Sequence, residues 1–228
     1  AVAAGADALF VEGHPDPEAW GEMLRDPAFA GEEVTEPTEI EKVLGTEHRK
    51  RRNRHFILET SHDTASAKAY LAFCEWAYRD FLRWAGKPAD HALWPNRCHV
   101  AVIANKAEWQ CLMEHRNRGR PPHEIERLRE IGGQWSAAGP ETLNYSREGS
   151  TPEQNRLRLF HTLNHLFLHG LAGSGPDGTV WWLWEAFSIH RELEVFGEQG
   201  PGCISFETAP EDGDGRAWLD PDGWVTQL

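Results

Sequence analysis

No stretch of this 228-residue chain approaches the ~20 consecutive apolar residues that a membrane-spanning helix needs, so no membrane span is expected. Positive charge is also short. Lys and Arg number 23 against 36 Asp and Glu, for a net charge of −13. So acidic a chain is repelled by phosphate backbones, and nucleic acid is not expected as a partner. Cysteine is scarce, and Cys74, Cys98, Cys111 and Cys203 include no C-x-x-C pair, which argues against a cysteine zinc site. Their spacing leaves two disulfides and four buried thiols both open. No internal repeat or long low-complexity tract is present.

What the chain does have is 40% hydrophobic residues and eleven tryptophans, enough for the core of one good-sized domain. Its one basic run, HRKRRNRH at 48–55, lies in an acidic region and reads as a solvated, locally compensated segment; a polyanion patch is the alternative. The opening AVAAGADA suits a terminus left by signal-peptide cleavage, which favours export to a periplasm or beyond.

Residues 1–54 are rich in Gly, Pro and acids and read as an irregular extension, with short helical pieces near 17–25 and 38–44. HFILET at 55–60 is a strand by its β-branched and aromatic content. Ser61 or Asp63 then caps a helix whose apolar residues at 67, 70, 71, 74, 77, 78, 81, 82 and 85 share one face. Gly86 and Pro88 stop it. CHVAVIA at 98–104 is a second strand and AEWQCLMEHR at 107–116 a short helix. NRGRPPHEIERLRE reads as a loop with one helical turn, and GGQWSAA with ETLNYS as a hairpin or two edge strands. Thr151 and Pro152 open a helix that runs to about Leu171. Another spans about Val180 to Phe196, closed by Gly197. The expected fold is α+β: a small mixed sheet, a long amphipathic helix and two late helices, over about 55–197. Residues 198–228 read as an irregular tail with aromatic islands at Phe206, Trp218 and Trp224.

The chemistry concentrates in the late helices. In FHTLNHLFLH, His161 and His165 stand four apart, so a helix presents both imidazoles on one surface. Zinc takes such ligands, and a catalytic site normally adds a third protein ligand and keeps one position open. Glu185, in TVWWLWEAFSIHRE, follows His165 by 20 positions across a Gly/Pro-rich turn and can supply it from a second helix folded back on the first. His169, one turn on, suits a solvent-side or supporting place better than a ligand's. Trp181, Trp182 and Trp184 read as core packing or as a stacking platform, and Arg156 and Arg158 as a solvated face, with Arg156 alternatively binding a substrate carboxylate.

The pair HTLNH and WWLWEAFS resembles the zincin metallopeptidases of the gluzincin group. These carry H-E-x-x-H on one helix and W-L-x-E-[GA]-F/L-A on the next. The resemblance implies a Zn2+ site formed by His161, His165 and Glu185, framed by Trp182, Leu183, Ala186 and Phe187. It also implies a substrate cleft able to take a peptide or protein ligand. The departure is at Thr162, which stands where the family has its general-base glutamate. A hydroxyl has no useful basicity near neutral pH, and general acid–base help contributes roughly 10²–10⁴-fold to rate. The expectation is a metal-binding gluzincin-like protein that has lost ordinary peptidase activity. An active hydrolase with another base, such as Glu141, Glu153 or Glu192, is the alternative, and a metal-free interaction domain is the third reading. Tyr145 and His190 are possible oxyanion donors, and Asn164 replaces no demanded residue.

Overall fold

The computed structural model of the protein describes residues 17–130, 132–136, 139–147, 149–172 and 181–198. Cys203, Phe206, Trp218, Trp224 and the AVAAGADA terminus lie outside them, as do the side chains of Glu153, Trp181 and Trp182. In chain order the elements are α1 (Pro17–Met23), α2 (Pro27–Ala30), β1 (Glu32–Glu33), α3 (Glu39–Leu44), β2 (Arg49–Arg52) and β3 (Phe56–Thr60). There follow α4 (Thr64–Trp84), β4 (Cys98–Ile103), α5 (Lys106–Arg116), α6 (Pro122–Glu130), β5 (Gly133–Ser136), β6 (Glu141–Tyr145), α7 (Pro152–Ala172) and α8 (Trp181–Phe196). The fold is α+β, built on a six-stranded mixed sheet in the order β1-β2-β3-β4-β6-β5. Strands β3, β4 and β6 run parallel; β1, β2 and β5 are antiparallel to their neighbours.

Parallel strands need a long crossover, and α4 provides it between β3 and β4. Asp63 is its N-cap, accepting a hydrogen bond from the Ser66 N–H at 2.7 Å. Gly86, left-handed at φ 64°, turns the chain out, and Lys87 N–H bonds back to the Leu82 carbonyl. Alternation along the strands makes two faces. Phe56, Leu58, Val100 and Val102 join α4 and α7 in the larger core. Ala101, Ile103, Leu143 and Tyr145 meet Ile40, Trp109, Leu112 and Met113 of α3 and α5 on the other side.

Three expectations need correction. The segment before residue 55 is not an irregular extension from residue 17 onward. Besides the short helices expected near 17–25 and 38–44, it contributes α2 and two strands, and Trp20 and Ile40 are buried. The basic run is only partly solvated, because β2 pairs with β3: His48 and Lys50 are buried while Arg49, Arg52 and Arg54 stay exposed. The expected compensation comes from Glu59 on His48, Glu41 on Lys50, Glu33 on Arg51 and Glu32 on Arg52. Charged residues can enter a sheet when counter-charges come with them. The stretch at 117–130 holds a nine-residue helix, α6, rather than one turn. Its half-buried Ile125 and Leu128 are a narrow apolar stripe, and Trp109 Nε1 anchors it through the Arg129 carbonyl at 3.0 Å. Within GGQWSAA and ETLNYS, 133–136 pairs antiparallel with 141–144; among the described residues β6 is interior and β5 an edge strand. Cys74, Cys98 and Cys111 are free thiols, the first two buried.

Candidate metal centre

Helix α7 begins with a reciprocal cap. Gln154 N–H donates to Thr151 Oγ1 at 3.3 Å, and the Gln154 side-chain oxygen accepts from Thr151 N–H at 3.0 Å. From residue 156 to 167 every side chain is buried, since the helix lies against β5 and β6, α4 and α8 at once. Arg156 and Arg158 therefore do not face solvent. The Arg156 guanidinium sits over the Phe196 ring at 4.9 Å, and Arg158 donates to the Tyr145 carbonyl at 2.9 Å. Burial, with Arg147 nearby, lowers the Arg158 pKa to about 10.

Helix α8 runs back along α7, with Glu192 beside His161 and Trp184 beside His169. Glu185 and Glu192 are two turns apart on one face; Glu185 reaches both histidines and Glu192 reaches His161. The ligand atoms of His161, His165 and Glu185 form a small triangle. His161 Nε2 and His165 Nε2 are 3.0 Å apart, and the Glu185 Oε2 lies 3.3 Å from each. Donors held at about 2.0–2.1 Å around a tetrahedral zinc ion stand about 3.4 Å from one another, so this nitrogen–nitrogen–oxygen set has the right size and chemistry for the ion. Among the described residues no other three His, Cys, Asp or Glu side chains converge in this way. Burial works against a charged Glu185, but the His161 and His165 imidazoles beside it outweigh that and hold the carboxyl well below the usual carboxylate range.

Behind the triangle, His161 Nδ1 is 2.9 Å from Glu192 Oε1, and Glu192 is fully buried. A carboxylate there favours a ring proton on Nδ1, which turns the Nε2 lone pair toward the triangle. On the opposite flank, Trp135 of β5 stacks on His165 with centroids 5.4 Å apart and planes 11° from parallel. Trp135 also meets Trp184 at 6.5 Å and His169 at 6.3 Å, so His169 belongs to an aromatic cluster beside the triangle. Trp184 is core, 5% exposed.

Thr162 is turned into the sheet. Its hydroxyl lies 3.0 Å from Asn144 Oδ1 and 3.0 Å from the Leu159 carbonyl, and its methyl packs against Gly133. The other candidate residues are committed elsewhere. Glu141 pairs with His99 and Arg116, and Glu192 holds His161. Tyr145 stacks on Trp109 on the far face of the sheet, His190 is exposed, and Asn164 bonds the Phe160 carbonyl within its own helix.

Sequence reasoning missed Trp135 altogether and misread Glu192. The signal for Glu192 was its seven-residue offset from Glu185, two helical turns that return it to the ligand face. For Trp135 the signal appears only once β5 is known to face α7. No protein-family model matches this chain, and no match was found among curated proteins or solved structures.

Proposed function

We propose that this chain is a gluzincin-like zinc-binding protein that has lost ordinary peptidase activity and uses its former substrate cleft to bind a peptide or protein ligand. The observation that carries this reading is the convergence of His161, His165 and Glu185 on one point with Glu192 behind His161. Zn2+ bound there would supply a Lewis acid with one open coordination position. The chain's own residues do the rest. Glu192 fixes the tautomer of His161, Glu185 brings the negative charge, and the buried stack around His165 keeps water from that flank. Thr162 offers no base, since its hydroxyl is engaged with Asn144 and the helix backbone and could not take a proton near neutral pH. Among the described residues β5 is an edge strand beside the triangle, and this supports a peptide as ligand, because a strand edge presents backbone donors and acceptors to an extended chain.

The test is elemental analysis of protein purified without chelator or histidine tag, for the parent and for His161→Ala. The expected result is about one zinc per chain in the parent, lost in the variant, with no peptide hydrolysis by either. No zinc in the parent, even after zinc is added back, overturns the reading in favour of a metal-free interaction domain. Thr162→Glu then separates a missing base from a remodelled cleft. Peptide cleavage by that variant means the cleft is otherwise intact; none in a zinc-loaded variant means more of it has changed.

A further inference from the structure

The ligand triangle is supported from two sides by different means. His161 is held by a hydrogen bond to a buried carboxylate, whereas His165 has an aromatic plane laid along its own. The indole of Trp135 is 11° from parallel with that imidazole, and it is not an isolated ring. Trp184, from α8, lies at 22° to it, and His169, from the next turn of α7, contacts both. The three elements that form the site, β5, α7 and α8, therefore meet in this cluster. Trp135 is half-buried and His165 fully buried, and the indole covers one face of the imidazole. Of the three ligand side chains, Glu185 retains the most exposure, at 16%, which leaves approach to the ion on its side.

We infer that Trp135 is a positioning residue for the metal centre: it fixes the ring plane of His165 so that Nε2 points at the ion, and it closes that flank to water. This rests on the zinc reading above. An imidazole on a helix has two side-chain torsions to set. Helix packing fixes the first, and the second is broad unless something opposes the ring face. A flat contact restricts rotation about that torsion without using either ring nitrogen. Metal affinity then depends on a residue that touches no metal, as it does for hydrogen-bonded supports.

Zinc dissociation constants measured by competition with a chromophoric chelator test this for the parent, Trp135→Leu and Trp135→Phe. The visible absorption of each Co2+-substituted protein and the Tm of each metal-free protein are recorded alongside. Trp135→Leu is expected to weaken zinc binding about tenfold, the lower end of effects seen for residues supporting a ligand. It should also change the shape of the Co2+ bands. Trp135→Phe is expected to restore most of both, with metal-free Tm values close to the parent's. Unchanged affinity and spectrum in Trp135→Leu overturn the role of Trp135 while leaving the metal centre standing. A parent that takes up neither ion overturns both. If Trp135→Leu does not fold, the fluorescence present in the parent and missing from Trp135→Phe carries the test. Its loss on stoichiometric Co2+ loading supports the contact, and its persistence overturns it.

Discussion

Glu192 is the residue whose chemistry follows most directly from its surroundings. It is fully buried, 2.9 Å from His161 Nδ1, on the side of the ring away from the ligand triangle. A histidine coordinates through Nε2 only while its proton sits on Nδ1, and a carboxylate is the acceptor that best holds it there. Glu192→Gln keeps the size and removes the charge. It is expected to lower zinc affinity roughly 10- to 100-fold, read by chelator competition, with the site still assembled. The convergence of His161, His165 and Glu185 was legible in the sequence, because helix geometry puts the two histidines on one surface and a second helix folding back across the turn brings the carboxylate to them. The support of His165 was not, since it comes from a strand 30 positions earlier whose facing depends on the finished sheet.

Between elements, one close approach is where α7 crosses the start of β5. A methyl group added at Gly133 would meet the Thr162 methyl at 2.9 Å, and one at Gly132 would meet the Arg158 side chain at 2.6 Å. Two successive glycines let the helix approach the strand and bring Trp135 against His165. Gly133→Ala is expected to cost about 1–3 kcal/mol, the usual penalty for overpacking, measured by urea unfolding. Thr162→Ser removes the opposing methyl and keeps the hydroxyl, so the double variant should recover most of that loss, and a double-mutant cycle reads the coupling. Elements with a strong period were readable in advance. Eight of the nine apolar positions read onto one face lie in α4, with Ala85 at its C-cap, and its cap and stop signals lie where the sequence has them. The strands before residue 55 were not, because RKRR carries no apolar alternation and becomes a strand only through acids supplied by other elements.

Across the whole molecule, a ladder of ionisable groups ties the N-terminal elements to the sheet. Glu59, fully buried on β3, accepts hydrogen bonds from Thr38 at 2.8 Å, His48 at 3.0 Å and His99 at 3.2 Å. His99 bonds Glu141 through its other nitrogen, and Glu141 is held by Arg116; His48 faces Glu108 at 3.6 Å, and Lys50 pairs with Glu41. Burial opposes a charged His99, but Glu141 and Glu59 outweigh it and raise its pKa from 6.5 to about 9. His48 is raised in the same way, against its own burial, chiefly by Glu59. Glu59 is lowered from 4.5 to about 2, its burial outweighed by the two histidines and Thr38. The histidine contribution to stability is full below pH 6.5 and is lost as pH rises through about 9. That of Glu59 is present above pH 4.5 and is lost as pH falls through about 2. Urea midpoints are therefore expected to fall on the alkaline side between pH 7 and 10, with His99→Asn flattening that limb.

The same ladder bears on where the chain can be divided. A fragment begun at His55, where apolar patterning first becomes visible, would lack β1 and β2. Strand β3 would become a bare margin open to a neighbour's backbone, with Glu59 stripped of His48 and Thr38. Such a piece would be prone to self-association even with His161, His165 and Glu185 intact, so the site is best studied in the full chain, with β1, β2 and the helices before them attached.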